Sequence, residues 1–143
     1  GDDIAFIARN GPNRNMNTGH VLSARAPAQV TAAGMPLPAP PPDTEAQRWL
    51  AAHRPKIFTP HTIANAERLW AEFQRIRAQG WALSEQPLDL NSRGVAVPLR
   101  DRHGLITGAL SITMPIGREK GEDAVARTLP VLRETAQAMR DLI

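Results

Sequence analysis

Cysteine is absent from the 143 residues. Disulfides, thiolate nucleophiles, iron–sulfur clusters and cysteine-ligated zinc are therefore excluded. Long apolar runs are missing as well: none approaches the ~20 residues that span a bilayer, and no basic-then-apolar signal opens the chain. A cytoplasmic protein with no membrane partner is the expectation. Lysine is scarce, with only Lys56 and Lys120 among the 17 basic residues. The sequence pI of about 10.5 thus reflects the high pKa of arginine rather than a large charge excess. A net charge of +3 with no dense Lys/Arg block is too weak for a nucleic-acid footprint.

What remains suits one globular domain with a core of its own, at 42% hydrophobic and 22% charged residues. The chain opens at Gly1 without a Met and runs at once into Ile4-Ala5-Phe6-Ile7-Ala8. So abrupt a start suggests a fragment of a longer protein.

Residues 4–9 are apolar on both parities between Asp2-Asp3 and Asn10-Gly11-Pro12, which predicts a buried strand. A loop follows to Gly19, then a short strand over 20–24. Pro27 and Gly34 bracket a possible short helix. Five prolines between 36 and 42 make residues 35–43 an extended connector. Residues 44–53 are helix-like, anchored by Trp49 and Leu50. The clearest helix is 66–79: Asn65 can cap it, Glu67 suits its first turn and Gly80 stops it. Ala66, Leu69, Trp70, Phe73 and Ile76 fall on one face of it, a stripe that belongs to a core.

The period then changes. Strands are predicted over 81–84, 94–99 and 106–114, with a hairpin turn at Arg100-Asp101-Arg102-His103-Gly104. A last helix is expected over 122–142, with Leu129, Leu132, Ala136, Met139 and Ile143 inward and Pro130 kinking or interrupting it. Strands and helices without regular alternation indicate an α+β fold on an antiparallel sheet.

Chemistry-bearing constellations are few. His20, His53, His61 and His103 lie in or beside loops and form no HxxxH or HExxH pair, so no metal site is expected. Ser84, Ser92 and Ser111 lack a nucleophile-elbow context, and Pro87 argues against a helical Glu85/Asp89 carboxylate pair. A helix-turn-helix built from 44–53 and 66–79 would need a turn of three or four residues, and the connector is far longer. The strand over 106–114 is more informative. Leu110, Ile112 and Met114 share one of its faces, and Ala109, Ser111 and Thr113 share the other. That second face is either a wet row of small residues or the floor of a pocket whose hydroxyls hold a polar ligand. Spacing alone leaves both open.

Several runs together resemble a known family. They are Gly80-Trp81-Ala82, the stretch from Ser92-Arg93-Gly94-Val95 to Arg100-Asp101, then Gly104, and Gly108-Ala109-Leu110-Ser111-Ile112. Arg25-Ala26-Pro27 leading to Thr31-Ala32-Ala33-Gly34, and Leu129-Pro130-Val131-Leu132-Arg133-Glu134-Thr135-Ala136, extend the likeness over nearly the whole chain. In this order they resemble the C-terminal effector-binding domain of IclR-family bacterial transcriptional regulators.

The resemblance implies a GAF-like fold, an antiparallel sheet with flanking helices and a small-molecule pocket on one face. It implies no cofactor and no catalysis, and an N-terminal winged helix-turn-helix domain lying outside this chain. On the family pattern, Ser84, Gly94, Ser111 and Thr113 line the pocket, and the amides of Ala32 and Ala33 take the ligand's carboxylate. Two departures stand out. The family usually carries a carboxylate at the place of Ser84, and Pro36 and Pro38 interrupt the stretch after the Thr-x-x-Gly turn. The expected role is effector sensing and oligomerisation as a homodimer or tetramer, with DNA bound only through the absent domain. The effector should be an organic acid with a bulky or aromatic body, because Gly94, Ser84 and Ala109 leave room. The rival readings are a GAF-like small-molecule enzyme and a dimerisation module with a vestigial pocket.

Overall fold

The computed structural model describes residues 3–5, 25–27, 48, 66–85 and 91–143. Two short strands, β1 (Asp3–Ala5) and β2 (Arg25–Pro27), pair antiparallel. After helix α1 (Ala66–Gln79) comes a three-stranded antiparallel sheet of β3 (Ala82–Glu85), β4 (Ser92–Arg100) and β5 (Ile106–Pro115) in that order. Helix α2 (Gly121–Met139) closes the chain. The α+β class with an antiparallel sheet is as the sequence predicts.

Helix α1 forms where the apolar stripe places it. Glu67 in its first turn and Arg77 in its last oppose the helix dipole. Gly80 ends it at φ +81°, a left-handed conformation that costs glycine nothing, and the Gly80 N–H donates back to the Ile76 carbonyl at 2.7 Å. Leu69, Phe73 and Ile76 are buried together with Ala82, and Trp70 packs alongside. The larger cluster lies between the sheet and α2, where Val95, Val97, Val125 and Leu132 are buried and Leu83, Leu110, Ile112, Met114, Leu129 and Ala136 pack around them.

A buried arginine fastens α2 to the sheet. Arg93, 4% exposed, donates through Nε to Glu85 Oε1 at 2.5 Å and through Nη1 to the Glu119 carbonyl at 2.9 Å. Glu119 in turn receives two N–H donors of Arg127 at 3.0 and 2.9 Å. That pairing holds the Glu119 carboxyl below its ordinary pKa and raises Arg127. Gly121 opens α2 hard against Glu85. A Cβ there would lie 2.5 Å from Glu85 Oε1 and 3.1 Å from Leu83 Cδ2. The Glu85 carboxylate thus sits at the positive end of a helix whose first turn has no side-chain cap from Lys120.

At the other end of the sheet, Asp101 organises the β4–β5 turn. Its Oδ1 accepts from the His103 N–H at 2.8 Å and the Leu105 N–H at 3.0 Å. Gly104, at φ +82°, donates to the Asp101 carbonyl at 3.0 Å. The Leu105 amide, foremost among several neighbours, holds the Asp101 carboxyl below the usual aspartate range.

Several expectations are corrected. Pro130 does not interrupt α2, which is continuous from Gly121 to Met139. Pro130 and Ala126 are both exposed, so the carbonyl deprived of an i+4 donor falls on the wet side of the helix. The helix ends three residues before the expected 142, and Ile143 is 39% exposed rather than inward. Its buried stripe includes Ala124, Val125 and Thr128, with Thr128 Oγ1 donating to the Ala124 carbonyl at 2.7 Å. Pro27 lies in a strand, not at a helix start, because its missing N–H is tolerated in a short ladder. Ala5 is exposed, so the first strand is not buried there. Residues 6–24 and 28–47 lie outside the described residues, including the predicted strand over 20–24 and the proline run. Of the helix expected over 44–53 only Arg48 is described, and it is helical.

Two outcomes follow from these contacts. Gly121→Ala should destabilise by about 1–3 kcal/mol through crowding of Glu85 and Leu83. In urea melts that loss should shrink when combined with Glu85→Ala, since the two share one contact. The depressed Asp101 carboxyl gives a pH signature. A carboxyl whose folded pKa is lowered stabilises above its unfolded value, and the benefit is lost as pH falls through the folded one. Acidification through the aspartate range should therefore release the His103 and Leu105 amides first, read by NMR amide shifts and exchange. In Asp101→Asn that transition should vanish.

Candidate functional site

The pleat of the sheet sorts its side chains into two faces of different chemistry. One face, carrying Leu83, Val95, Val97, Leu110, Ile112 and Met114, belongs to the cluster under α2. The opposite face carries Ala82, Ser84, Gly94, Ala96, Pro98, Ala109, Ser111 and Thr113, all small. Register assembles these into rows. Ser84 stands opposite Gly94, and Gly94 opposite Thr113. One row along, Ala82 stands opposite Ala96, and Ala96 opposite Ser111. Side chains directly opposite lie about 4.5–5.5 Å apart at Cβ, so the four described candidates form one patch.

The patch is not a uniformly wet row. Ala82 and Ala96 are fully buried and Ser84 is 8% exposed. Gly94 and Ser111 are half-buried, and Thr113 on the outer strand is exposed. Burial therefore falls off from β3 to β5. Glycine in the middle of β4 puts no side chain between two hydroxyl-bearing residues, and alanines occupy the row beside it. No imidazole, carboxylate or amine shares this face between Ser92 and Pro98 or on its described neighbours. The arrangement can accept and donate hydrogen bonds and exclude water around a small molecule, and it supplies no base for proton transfer.

Ala32 and Ala33 lie outside the described residues. Of the four histidines only His103 is described, exposed at the hairpin tip. Among the described residues no group of three or more His, Asp or Glu could hold a metal ion. None of their helices is long and apolar enough to cross a membrane. Two features escape a reading of the sequence. Arg93 points to the helix side while its neighbour Gly94 opens the other face, an alternation that a lone charge inside an apolar strand would have signalled. Arg100, Arg133 and Arg140 cluster in space but are scattered along the sequence, and they leave no local pattern.

Residues 1–140 match the profile of a family described as bacterial transcriptional regulator IclR C-terminal. The chain is 35% identical over 143 residues to the Pca regulon regulatory protein of Pseudomonas putida, an alignment covering 99% of this chain and 48% of that one. A solved Rhodococcus sp. RHA1 protein assigned as a transcriptional regulator superposes with a TM-score of 0.91 at 33% identity, over 98% of this chain and 57% of that one. The inducer binding domain of the PobR transcription factor from Acinetobacter, a double mutant solved in complex with 3-hydroxybenzoic acid, gives 0.85 at 27% identity. That match covers 92% of this chain and 75% of the other. The chain spans about half the length of the curated relatives it matches.

The two faces make opposite demands on mutation. Leu110→Ala should cost about 1–2 kcal/mol, because its side chain packs under α2. Ser111→Ala should stay within about 0.5 kcal/mol. Paired thermal melts check this, and equal losses would mean that the faces are wrongly assigned.

Proposed function

Since this chain belongs to the IclR C-terminal family of bacterial transcriptional regulators, we propose that it senses a small organic acid on the small-residue face of its sheet and carries out no catalysis. The observation behind this reading is the row Ser84–Gly94–Thr113 with Ser111 beside it. Hydroxyls flank a position without a side chain, and alanines form the floor. Ser84 and Ser111 orient the ligand, Gly94 makes room for its body, and Thr113 closes the outer rim. The amides of Ala32 and Ala33 take its carboxylate, as the family pattern assigns them.

The ligand is an acid with an aromatic or bulky body. Ser84 puts no negative charge where an anion would sit, and Gly94 with Ala109 leaves width for a ring. The hydroxybenzoic acid in the related PobR domain supports this class. Binding shifts the population of paired domains, and the pairing transmits that shift to an N-terminal DNA-binding domain in a cytoplasmic regulator. An enzyme would need a base on this face. A vestigial module would bind nothing.

Calorimetry with hydroxybenzoates and pyruvate side by side tests the reading. Aromatic acids should bind more tightly, and Gly94→Leu should weaken them most. Ser111→Ala should cost about 0.5–1.5 kcal/mol of binding, the scale of one hydrogen bond, with a smaller loss for the exposed Thr113→Val. Tighter binding of pyruvate, or indifference to Gly94→Leu, would refute the assignment. In solution the chain should scatter light as a dimer or larger and give no specific duplex-DNA shift. A strict monomer at micromolar concentration would count against the coupling.

A further inference from the structure

At the end of β4, this strand, Gly80 and α2 line an open cavity of about 300 Å³. Its floor is apolar, made by the buried Val97 and the half-buried Pro98 and Ala136. Three arginines ring it: Arg100 from β4, and Arg133 and Arg140 from the last turns of the chain's C-terminal helix and its cap. Pro98 ends the small-residue row four residues beyond Gly94, about 13 Å along the strand, so the cavity's centre under α2 lies away from Gly94.

The guanidinium groups are held in place by backbone carbonyls. Arg100 Nη1 donates to the Gly104 carbonyl at 2.8 Å, and Arg133 Nη2 to the Gln79 carbonyl at 3.3 Å. Arg140 Nε donates to the Asp101 carbonyl at 3.1 Å. Every acceptor is an uncharged backbone oxygen. Arg75, Arg93 and Arg127 form ion pairs with carboxylates, whereas among the described residues none of Arg100, Arg133 and Arg140 has a carboxylate oxygen within ion-pair distance. The Asp101 carboxylate lies near enough to Arg140 to feel its charge, but its Oδ1 is taken by two amides of the hairpin turn. Each guanidinium has five N–H donors, and one hydrogen bond orients the head while leaving the others for a ligand. Three guanidinium groups gathered over an apolar floor, with the single Asp101 carboxylate near Arg140, keep an excess of positive charge that is complementary to an amphipathic anion.

We propose that this cavity is a second ligand site, binding a small carboxylate with an apolar body. A planar carboxylate matches the guanidinium fork with paired hydrogen bonds. The floor of Val97, Pro98 and Ala136 receives the hydrocarbon part, and the volume falls at the small end of ligand pockets. An anion there joins three segments through their arginines: the end of α1 through Gln79, the β4–β5 turn through Asp101 and Gly104, and the last turn of α2.

Benzoate serves as the probe, with inorganic phosphate as the control, in NMR titrations of the chain. Benzoate should shift the Arg100, Arg133 and Arg140 Nε–H signals along one saturable curve, together with the Val97 and Ala136 methyls. Phosphate should leave the methyls unmoved. Arg133→Gln should weaken this binding about tenfold without changing the response of the Gly94 and Ser111 amides. Gly94→Leu should do the reverse, so failure at one site is read apart from failure at the other. Ala136→Phe fills the floor without altering charge and should abolish the saturable response. If that variant does not fold, the pair Arg100→Gln with Arg133→Gln replaces it, with the same outcome expected. Arginine signals that do not saturate, that follow phosphate equally well, or that respond unchanged in these variants would overturn the second site.

Discussion

The central strand β4 commits its alternate residues to two unrelated roles, and Arg93 locks that commitment. Arg93, Val95 and Val97 face α2, so Gly94, Ala96 and Pro98 must face the other way. The buried guanidinium, held by Glu85 and by the carbonyl of Glu119, ties β3, β4 and the entry to α2 at one point. A slip of one residue would bury the small face under the helix and strand a charge on the open side. Neither outcome is tolerable, since an unpaired buried charge is costly and alanines cannot fill the space of valines. The hydroxyl row therefore inherits its position from the packing on the opposite face.

Two groups of arginines among the described residues contrast in their partners. Arg75, Arg93 and Arg127 meet carboxylates, and their part is structural. Arg100, Arg133 and Arg140 meet carbonyls at the ends of elements, where unsatisfied backbone oxygens collect. The second group secures the far end of the molecule and retains its charge. A net charge of only +3 conceals that separation, because acids elsewhere offset the basic cluster.

Membership of a regulator family and a sheet face of small hydroxyl-bearing residues agree with each other. The described sheet face offers hydrogen bonds, which suit recognition of a small molecule. The energetic demand on such a domain is modest, because a ligand changes an equilibrium only by its differential affinity for two arrangements. The patch is graded from buried at Ser84 to exposed at Thr113, and it lies on the face opposite the valine core.

How much of this was legible in the sequence depends on whether the signal was local. Helix α1 and its glycine stop, the hairpin around Asp101 and the two faces of β5 all follow from periods of 3.6 and 2 and from turn chemistry. The resemblance added Ser84 and Gly94, which periodicity would not have singled out. Pro130 misled, because a helix tolerates a proline whose lost hydrogen bond falls on its wet side. Ile143 misled because the helical period was carried past the point where the helix ends at Met139. Local pattern was enough to say which residues alternate, where elements stop and which side chains are small. It took the folded chain to put Ser84, Gly94 and Thr113 in one row, to press Gly121 against Glu85, and to gather Arg100, Arg133 and Arg140 around one cavity. Those relations join residues far apart in the chain, and they are set by strand register and helix packing, which no local pattern encodes.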